Sequence, residues 1–280
     1  MTATFRPLSA VIGLEVTEID PGASIDAATF AHLEQEWLDH NLFLFRDIRM
    51  TPAQQVAFTR RFGPLHIMTP LQYNHPEHPE IFVVSNVEMD GRPLGMRRVG
   101  LGWHTDGEDK AIPNAGSFLY AREVPAEGGD TLFANMFAAH DALPADLRRR
   151  IAGRRACYSR VRLHAVHYPH LEPLTEIQKA ERPDVWHPLI RTHPRTGRKA
   201  LYIGRWACEV EDLPEDEGRE IIAKLQAFAA EPRFVYRHQW RVHDALLWDN
   251  RSTLHCATTF DETRYRRLMH RTTLEGDAPF

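Results

Sequence analysis

Three residues constrain this chain more than any other feature: His104 and Asp106 inside Trp103-His-Thr-Asp-Gly107, and His255 at the end of Trp248-Asp-Asn-Arg-Ser-Thr-Leu-His255. Well over a hundred positions separate Asp106 from His255. The set can act together only in a fold that lays an early segment beside a late one.

Pairs of the form His-x-acid arise easily by chance. With 16 His and 38 Asp plus Glu among 280 residues, roughly two are expected at random. The chain carries five: His32/Glu34, His75/Glu77, His78/Glu80, His104/Asp106 and His170/Glu172. Geometry separates them. His32 and Glu34 lie in a helical pattern, where positions two apart do not face each other. His75 and His78 each precede a proline in a stretch that reads as a turn, and His170/Glu172 is also bounded by prolines. In an extended strand, residues i and i+2 share one side, so His104 and Asp106 can hold one ion while Thr105 points away. Taken alone, His104 reads equally well as a polar surface residue. Joined by His255, the set puts two imidazoles and one carboxylate on one face of a metal and leaves the opposite positions open, as in non-haem Fe(II) oxygenases.

The rest of the composition narrows the setting. The length suits one large domain or two small ones; no repeat or linker divides it, so a single domain over residues 1–280 is expected. A net charge of −4 provides no basic field to recruit nucleic acid or an anionic membrane. No apolar run reaches the roughly 18 residues of a membrane span, and residues 1–8 lack the apolar core of a secretory signal. Cys157, Cys208 and Cys256 are odd in number and show no CxxC spacing, which indicates neither a zinc knuckle nor a disulfide framework. A reducing cytoplasm is the expected compartment. His164, His167 and His170 recur every third residue, but no fourth ligand stands at zinc-finger spacing and Tyr168-Pro169 interrupts any helix, so a second metal site is not expected.

Periodicity predicts strands over 10–19, 42–45 and 81–85, with a helix over 25–40 capped by Ser24. Thr51-Pro-Ala-Gln54 is a capping box opening a second helix, which ends at Gly63-Pro64. Further strands are predicted at 115–120, 130–134, 198–203, 234–239, 244–249 and 268–274, and helices at 138–153 (interrupted at Pro144) and 214–230. Residues 154–200 show weak periodicity; 86–102 and 160–195 are candidates for a lid. Late strands with helices mostly outside them suggest a mainly β fold with helical additions, a sandwich or jelly roll.

A second constellation follows the first. Gly128-Gly-Asp-Thr131 offers a turn and then a hydroxyl at a strand start, and the tail Tyr265-Arg-Arg-Leu-Met-His-Arg271 puts Arg267 and Arg271 on one strand face. Two guanidiniums on one face can grip carboxylates or sulfonates bidentately, although such clusters are commonly solvated strand edges. Taken in order, His-x-Asp, Gly-Gly-Asp-Thr, Trp-Asp-Asn-Arg-x-x-x-His and the Arg-rich tail resemble the taurine dioxygenase/2,4-dichlorophenoxyacetate dioxygenase family of Fe(II)/2-oxoglutarate enzymes. The likeness extends through Phe43-Leu-Phe-Arg46, Thr51-Pro-Ala-Gln-Gln55, Arg61-Phe-Gly-Pro-Leu-His66 and Arg198-Lys-Ala-Leu-Tyr-Ile-Gly204.

That resemblance implies a double-stranded β-helix in which His104, Asp106 and His255 ligate Fe(II). It implies that Thr131 and Arg267 hold the distal carboxylate of 2-oxoglutarate, that O2 is the oxidant, and that Arg271 receives the anionic end of a small-molecule substrate. Succinate and CO2 would be released. Halogenating relatives lack the carboxylate present here as Asp106, so hydroxylation is implied. Met68 stands where the taurine enzyme has a sulfonate-contacting His, and Gly100 where it has an Asn; both argue against taurine itself. Trp206 falls near an aromatic pocket position. Residues 186–193 and 231–238 look closer to the phenoxyacetate-degrading branch. Relatives commonly form dimers or tetramers, so a homo-oligomer is a candidate state. Two alternatives stand beside this reading: the same iron chemistry on an amino acid or other biosynthetic intermediate, and a cupin-like zinc or manganese binder with no oxygenase activity. Only an oxygenase of this kind needs the Thr131/Arg267 clamp.

Overall fold

The computed structural model describes residues 3–169 and 171–280. The chain opens with a hairpin of β1 (Thr4–Pro7) and β2 (Leu14–Thr17), followed by α1 (Ala27–His40), β3 (Leu42–Phe45) and α2 (Pro52–Arg60). Asp26, not the expected Ser24, caps α1: its carboxylate accepts from Thr29 N, and Asn41 in the left-handed region ends the helix. A carboxylate at this position also complements the helix dipole. Thr51 and Gln54 form the expected capping box of α2.

β4 (Phe82–Ser85) precedes a short hairpin of β5 (Glu88–Met89) and β6 (Arg92–Pro93), so part of the lid candidate 86–102 is ordered as strand. Then come β7 (Gly116–Glu123), β8 (Thr131–Asn135), α3 (Met136–Asp141) and α4 (Ala145–Ile151). The single interrupted helix expected over 138–153 is thus two helices, broken just before Pro144. The weakly periodic 154–200 region holds β9 (Arg155–Tyr158), α5 (Arg160–His167), α6 (Glu176–Ala180), β10 (Val185–Pro188) and β11 (Ile190–Thr192), while β12 (Lys199–Leu201) falls within the strand expected over 198–203. The first five carry no sustained apolar period, so they do not register in the sequence. β13 (Ala207–Val210), α7 (Glu215–Ala229), β14 (Val235–His238), β15 (Ala245–Asp249), β16 (Thr253–Ala257) and β17 (Leu268–Leu274) complete the chain.

Seven strands form one sheet in the order β1-β2-β3-β15-β7-β17-β4, and three form another in the order β14-β8-β16. Strand alternation decides what each face touches. On one face of the large sheet, Phe43, Phe45, Phe118 and Leu247 pack against Leu33 and Trp37 of α1 and Phe58 of α2. On the other, Leu42, Leu44, Leu119, Leu246 and Met269 meet Phe133 of the small sheet. The fold is therefore mainly β with helices, and the two sheets share an apolar layer. Burial on both faces explains why Leu42-Phe-Leu-Phe45 is an uninterrupted apolar run; each such side chain contributes roughly 1.5–3 kcal/mol when fully buried. The small sheet's outer side, with Ala134 and Leu254, packs into a third cluster that includes Phe137 of α3 and Ile221 of α7. No helix among the described residues is long and apolar enough to cross a membrane.

The turn between β15 and β16 is tied by a buried ionic knot. Asp249 accepts from Arg251 N, Nε and Nη2, the last at 2.6 Å, and from His193 Nε2 at 3.0 Å. Because His193 Nδ1 accepts from the backbone N–H groups of Arg195 and Thr196, its proton must sit on Nε2. Burial alone would raise the Asp249 pKa, but the Arg251 charge and hydrogen bonds from Arg251 and His193 hold it well below the usual carboxylate range. A depressed carboxyl pKa contributes stability above the unfolded value, near 3.9, that is lost as pH falls toward the folded one. Asp249→Asn should lower unfolding free energy by about 3–5 kcal/mol at pH 7 and flatten the acid limb of stability below about pH 4. Urea titrations across pH check both.

Candidate metal centre and its cavity

The site begins with a backbone contact. His104 N donates to His255 O at 3.0 Å, and His255 N donates to His104 O at 2.8 Å. This two-way bridge holds residue 104 against β16 and brings the two imidazole centroids within 4.2 Å. The extended strand expected through Asp106 is only this one bridge; Asp106 already lies in the turn that follows. The turn still presents the carboxylate to the imidazoles because it is held at several points. Thr105 Oγ1 donates to Asn250 O at 2.6 Å, and Asp106 N donates to Asn250 Oδ1 at 3.4 Å. Ser117 of β7 donates to Asp106 Oδ2 at 2.7 Å, which leaves Oδ1 facing the histidines.

Oδ1 lies 3.9 Å from His104 Nε2 and 3.8 Å from His255 Nε2. Those gaps are too long for hydrogen bonds, but an ion with ligand distances near 2.0–2.2 Å fits within them. His104 Nδ1 donates to the Gly102 carbonyl at 2.9 Å, so its Nε2 carries the lone pair a metal needs. Burial pushes the pKa of both histidines down, that of His255 to about 3 with further help from His104. Both imidazoles are therefore neutral near pH 7, as ligation requires. For Asp106, burial acts to raise the pKa but is outweighed by Arg271, His255 and His104, which hold it well below its usual value. These three residues are the one grouping of potential metal ligands among the described residues. His164 packs at a tilt against Tyr168 and His167 bonds to the Arg205 carbonyl, while His170 lies outside the described residues.

A cavity of about 40 Å³ adjoins the centre, lined by His104, His255, Thr131, Arg267 and Arg271 together with apolar residues. It shares Val84, Val99, Ala257 and Arg267 with an outer cavity of about 560 Å³. Arg267 is 8% exposed and its Nε has no partner among the described residues. Burial alone depresses its pKa, to about 10, with no carboxylate offsetting it. Thr131 Oγ1 accepts from Trp240 Nε1 at 3.0 Å, so its own proton is free to be donated elsewhere. Arg271 Nη1 donates to Asp106 Oδ1 at 3.1 Å, and its Nε is buried without a partner.

Met68 and Trp206 line neither cavity. Met68 packs against the layer between the sheets, and Trp206 is buried in the third cluster with its ring edge-on to His167, which does line the outer cavity. Glu108 was not foreseen. It is 1% exposed, and it accepts from Thr105 N at 3.0 Å and Trp206 N at 2.9 Å, joining the metal turn to the segment before β13. Burial pushes its carboxyl up to about 8. Its position two residues past Asp106 was the only sequence signal. Asp106→Ala should abolish tight Mn(II) or Fe(II) binding in calorimetry while leaving the far-UV circular dichroism unchanged; undiminished affinity would contradict the ligand set.

Residues 4–273 match the family described as taurine catabolism dioxygenase TauD, TfdA family. The chain is 36% identical, over 98% of its length and 99% of the relative's, to the alpha-ketoglutarate-dependent 2,4-dichlorophenoxyacetate dioxygenase of Cupriavidus pinatubonensis. It is 35% identical, over 95% of its length and 97% of the relative's, to pentalenolactone F synthase of Streptomyces arenae. The crystal structure of AAD-2 in complex with Mn(II) and N-oxalylglycine superposes with a TM-score of 0.84 at 30% identity, covering 100% of this chain and 99% of that one. With the match running through all four motifs and the triad assembled in space, the chain belongs to the TauD/TfdA dioxygenase family.

Proposed function

We propose that this protein is an Fe(II)- and 2-oxoglutarate-dependent dioxygenase that hydroxylates a C–H bond of a small anionic molecule, with release of succinate and CO2. One observation carries the reading: a buried arginine with no carboxylate paired to it among the described residues shares a small cavity with a two-histidine, one-carboxylate grouping. A metal-binding module alone has no use for an unpaired buried guanidinium, whose desolvation is costly. In this reading the chain is a single catalytic domain, and its two facing sheets are the halves of a double-stranded β-helix.

His104, Asp106 and His255 would hold Fe(II) and leave its other positions open. Bound together, the metal and 2-oxoglutarate supply the oxidising power by coupling O2 reduction to decarboxylation of the oxo acid. The residues of the chain bind and orient. Arg267 would take the distal carboxylate of the oxo acid bidentately, with the Thr131 hydroxyl donating to the same group. The apolar walls at Val84, Val99, Leu119 and Trp248 limit water beside the centre. Arg271, inside the cavity and beside Asp106, would attract the anionic end of the prime substrate. The named activities of the relatives support a carboxylate-bearing substrate such as an aryloxyalkanoate.

A second reading keeps this chemistry and assigns it to a larger biosynthetic intermediate. The outer cavity of about 560 Å³ and the likeness to pentalenolactone F synthase favour it. Labelled succinate formation from 2-oxoglutarate, screened against aryloxyalkanoates, sulfonates, alkyl sulfates, amino acids and terpenoid acids, separates the two. Absence of iron-dependent succinate with every class would overturn both. Arg267→Met should raise the KM for 2-oxoglutarate at least ~100-fold, since removing one partner of a buried ion pair costs ~3–5 kcal/mol. An unchanged KM would remove Arg267 from the cosubstrate site.

A further inference from the structure

Cys157 of β9 and Cys208 of β13 stand on neighbouring strands and take no part in the chemistry described so far. Strand pairing explains how they meet. β13 is an edge strand of the sheet β10-β9-β13 and runs antiparallel to β9. Ala207 faces Tyr158 and Glu209 faces Cys157, so Cys208 is the one residue left over between them. An extra residue of this kind bulges and shares with its successor the position opposite a single residue of the partner strand. Cys208 and Glu209 therefore both oppose Cys157. Arg162 of α5 reaches the two of them: its Nη1 donates to Glu209 Oε2 at 2.7 Å and lies 4.0 Å from Cys208 Sγ. Cys208 Sγ in turn donates to the Cys157 carbonyl at 3.4 Å.

Place in the sheet makes the two thiols unequal. Cys157, on the middle strand, is 0% exposed, whereas Cys208 on the edge strand is half-buried. A hydrogen bond from the Cys157 thiol holds Cys208 below the ordinary thiol value, and the Arg162 charge adds to that effect against burial. The same hydrogen bond, together with burial, pushes Cys157 up. Arg162 is kept over the pair by Asp184 at 2.9 Å as well as by Glu209. An accessible thiol beside a fixed cation is the reactive kind, because the thiolate is the nucleophile. Cys256 differs: its Sγ donates to the Ala257 carbonyl at 3.5 Å, and burial raises its pKa.

We propose that Cys208 and Cys157 form a reversible dithiol site, in which Cys208, with Arg162 beside it, reacts with hydrogen peroxide and Cys157 resolves the product to a disulfide. The Cys208 sulfur attacks one peroxide oxygen; an S–O bond forms, the O–O bond breaks and water leaves. The Cys157 sulfur then attacks the Cys208 sulfur. The S–S bond forms, the S–O bond breaks, and the departing oxygen takes the Cys157 proton to leave as a second water. Together the two sulfurs lose two electrons, which the peroxide gains. Residues facing each other across antiparallel strands have Cα atoms about 4.5–5.5 Å apart, inside the roughly 4.4–6.8 Å that a disulfide spans. The bridge fastens both ends of the segment that carries α5, whose last residue, His167, lines the outer cavity.

The test uses the reduced full-length chain, freed of iron by a chelator so that no metal-borne oxidant forms. It is treated with a small excess of hydrogen peroxide, and its thiols are then counted by alkylation in denaturant. Wild type should fall from three free thiols to one, lose the mass of two hydrogens, and yield a Cys157–Cys208 cross-linked peptide that dithiothreitol releases. Cys157→Ser should stop at a sulfenic acid on Cys208, trapped by dimedone, and Cys208→Ser should keep both remaining thiols. Arg162→Met should slow the loss of thiols about 3- to 10-fold. Wild type that retains all three thiols, or a bridge that includes Cys256, would overturn the site. An unchanged rate in Arg162→Met would overturn the part assigned to Arg162.

Discussion

The site depends on the reciprocal backbone hydrogen bonds between His104 and His255. They place an early loop residue beside a late strand without asking either side chain to do it. Backbone pairing is obligatory for buried polar groups, so this contact is satisfied whether or not an ion is present. The imidazoles are thereby presented as neighbours, and the carboxylate needs only to be aimed. Ser117, Thr105, Asn250 and Glu108 aim it, from β7, the turn itself and the β15–β16 turn. The ionic knot at Asp249 stabilises that last turn and so stands behind the site.

Electrostatics then sorts the roles. In one small space, two imidazoles are neutralised by burial, one carboxylate is kept ionised by Arg271, and Arg267 pairs with no carboxylate among the described residues. An empty apolar cavity would not retain an uncompensated guanidinium, whereas a cavity built for a dicarboxylate would. The same bookkeeping separates Arg267 from Arg271 although both line the small cavity: the first has only its burial to answer, the second already donates to Asp106. Charge that is left unmatched marks where ligands belong.

Much of this was legible in the residues. The capping box at Thr51-Pro-Ala-Gln54 and the uninterrupted Leu42–Phe45 run each follow from local rules, and the structure shows each where those rules put it; Arg267, expected on the same strand face as Met269 and Arg271, instead stands just before β17, whose register shifts between Leu268 and Met269. Ser24 was misread as the cap of α1 because Ser and Asp are nearly equivalent in that role, and only the direction of entry of the chain chose Asp26. The sheet β10-β9-β13 was invisible because its strands carry neither an apolar run like Leu42–Phe45 nor a clean apolar–polar alternation. Trp206 looked like a pocket residue but is buried in the third apolar cluster, since an aromatic side chain near a site is as readily core as lining.

By itself, the sequence determined the candidates for a donor set, the order of the motifs and the mainly β character with helices, because ligand chemistry, turn residues and strand alternation are written in neighbouring positions. It could not say which oxygen of Asp106 faces the histidines, that Asp106 sits in a turn rather than a strand, or that Glu108 joins that turn to Trp206. Those depend on groups far apart in the chain that hydrogen bonding and burial bring within a few ångströms, and only the folded sheets decide which groups these are.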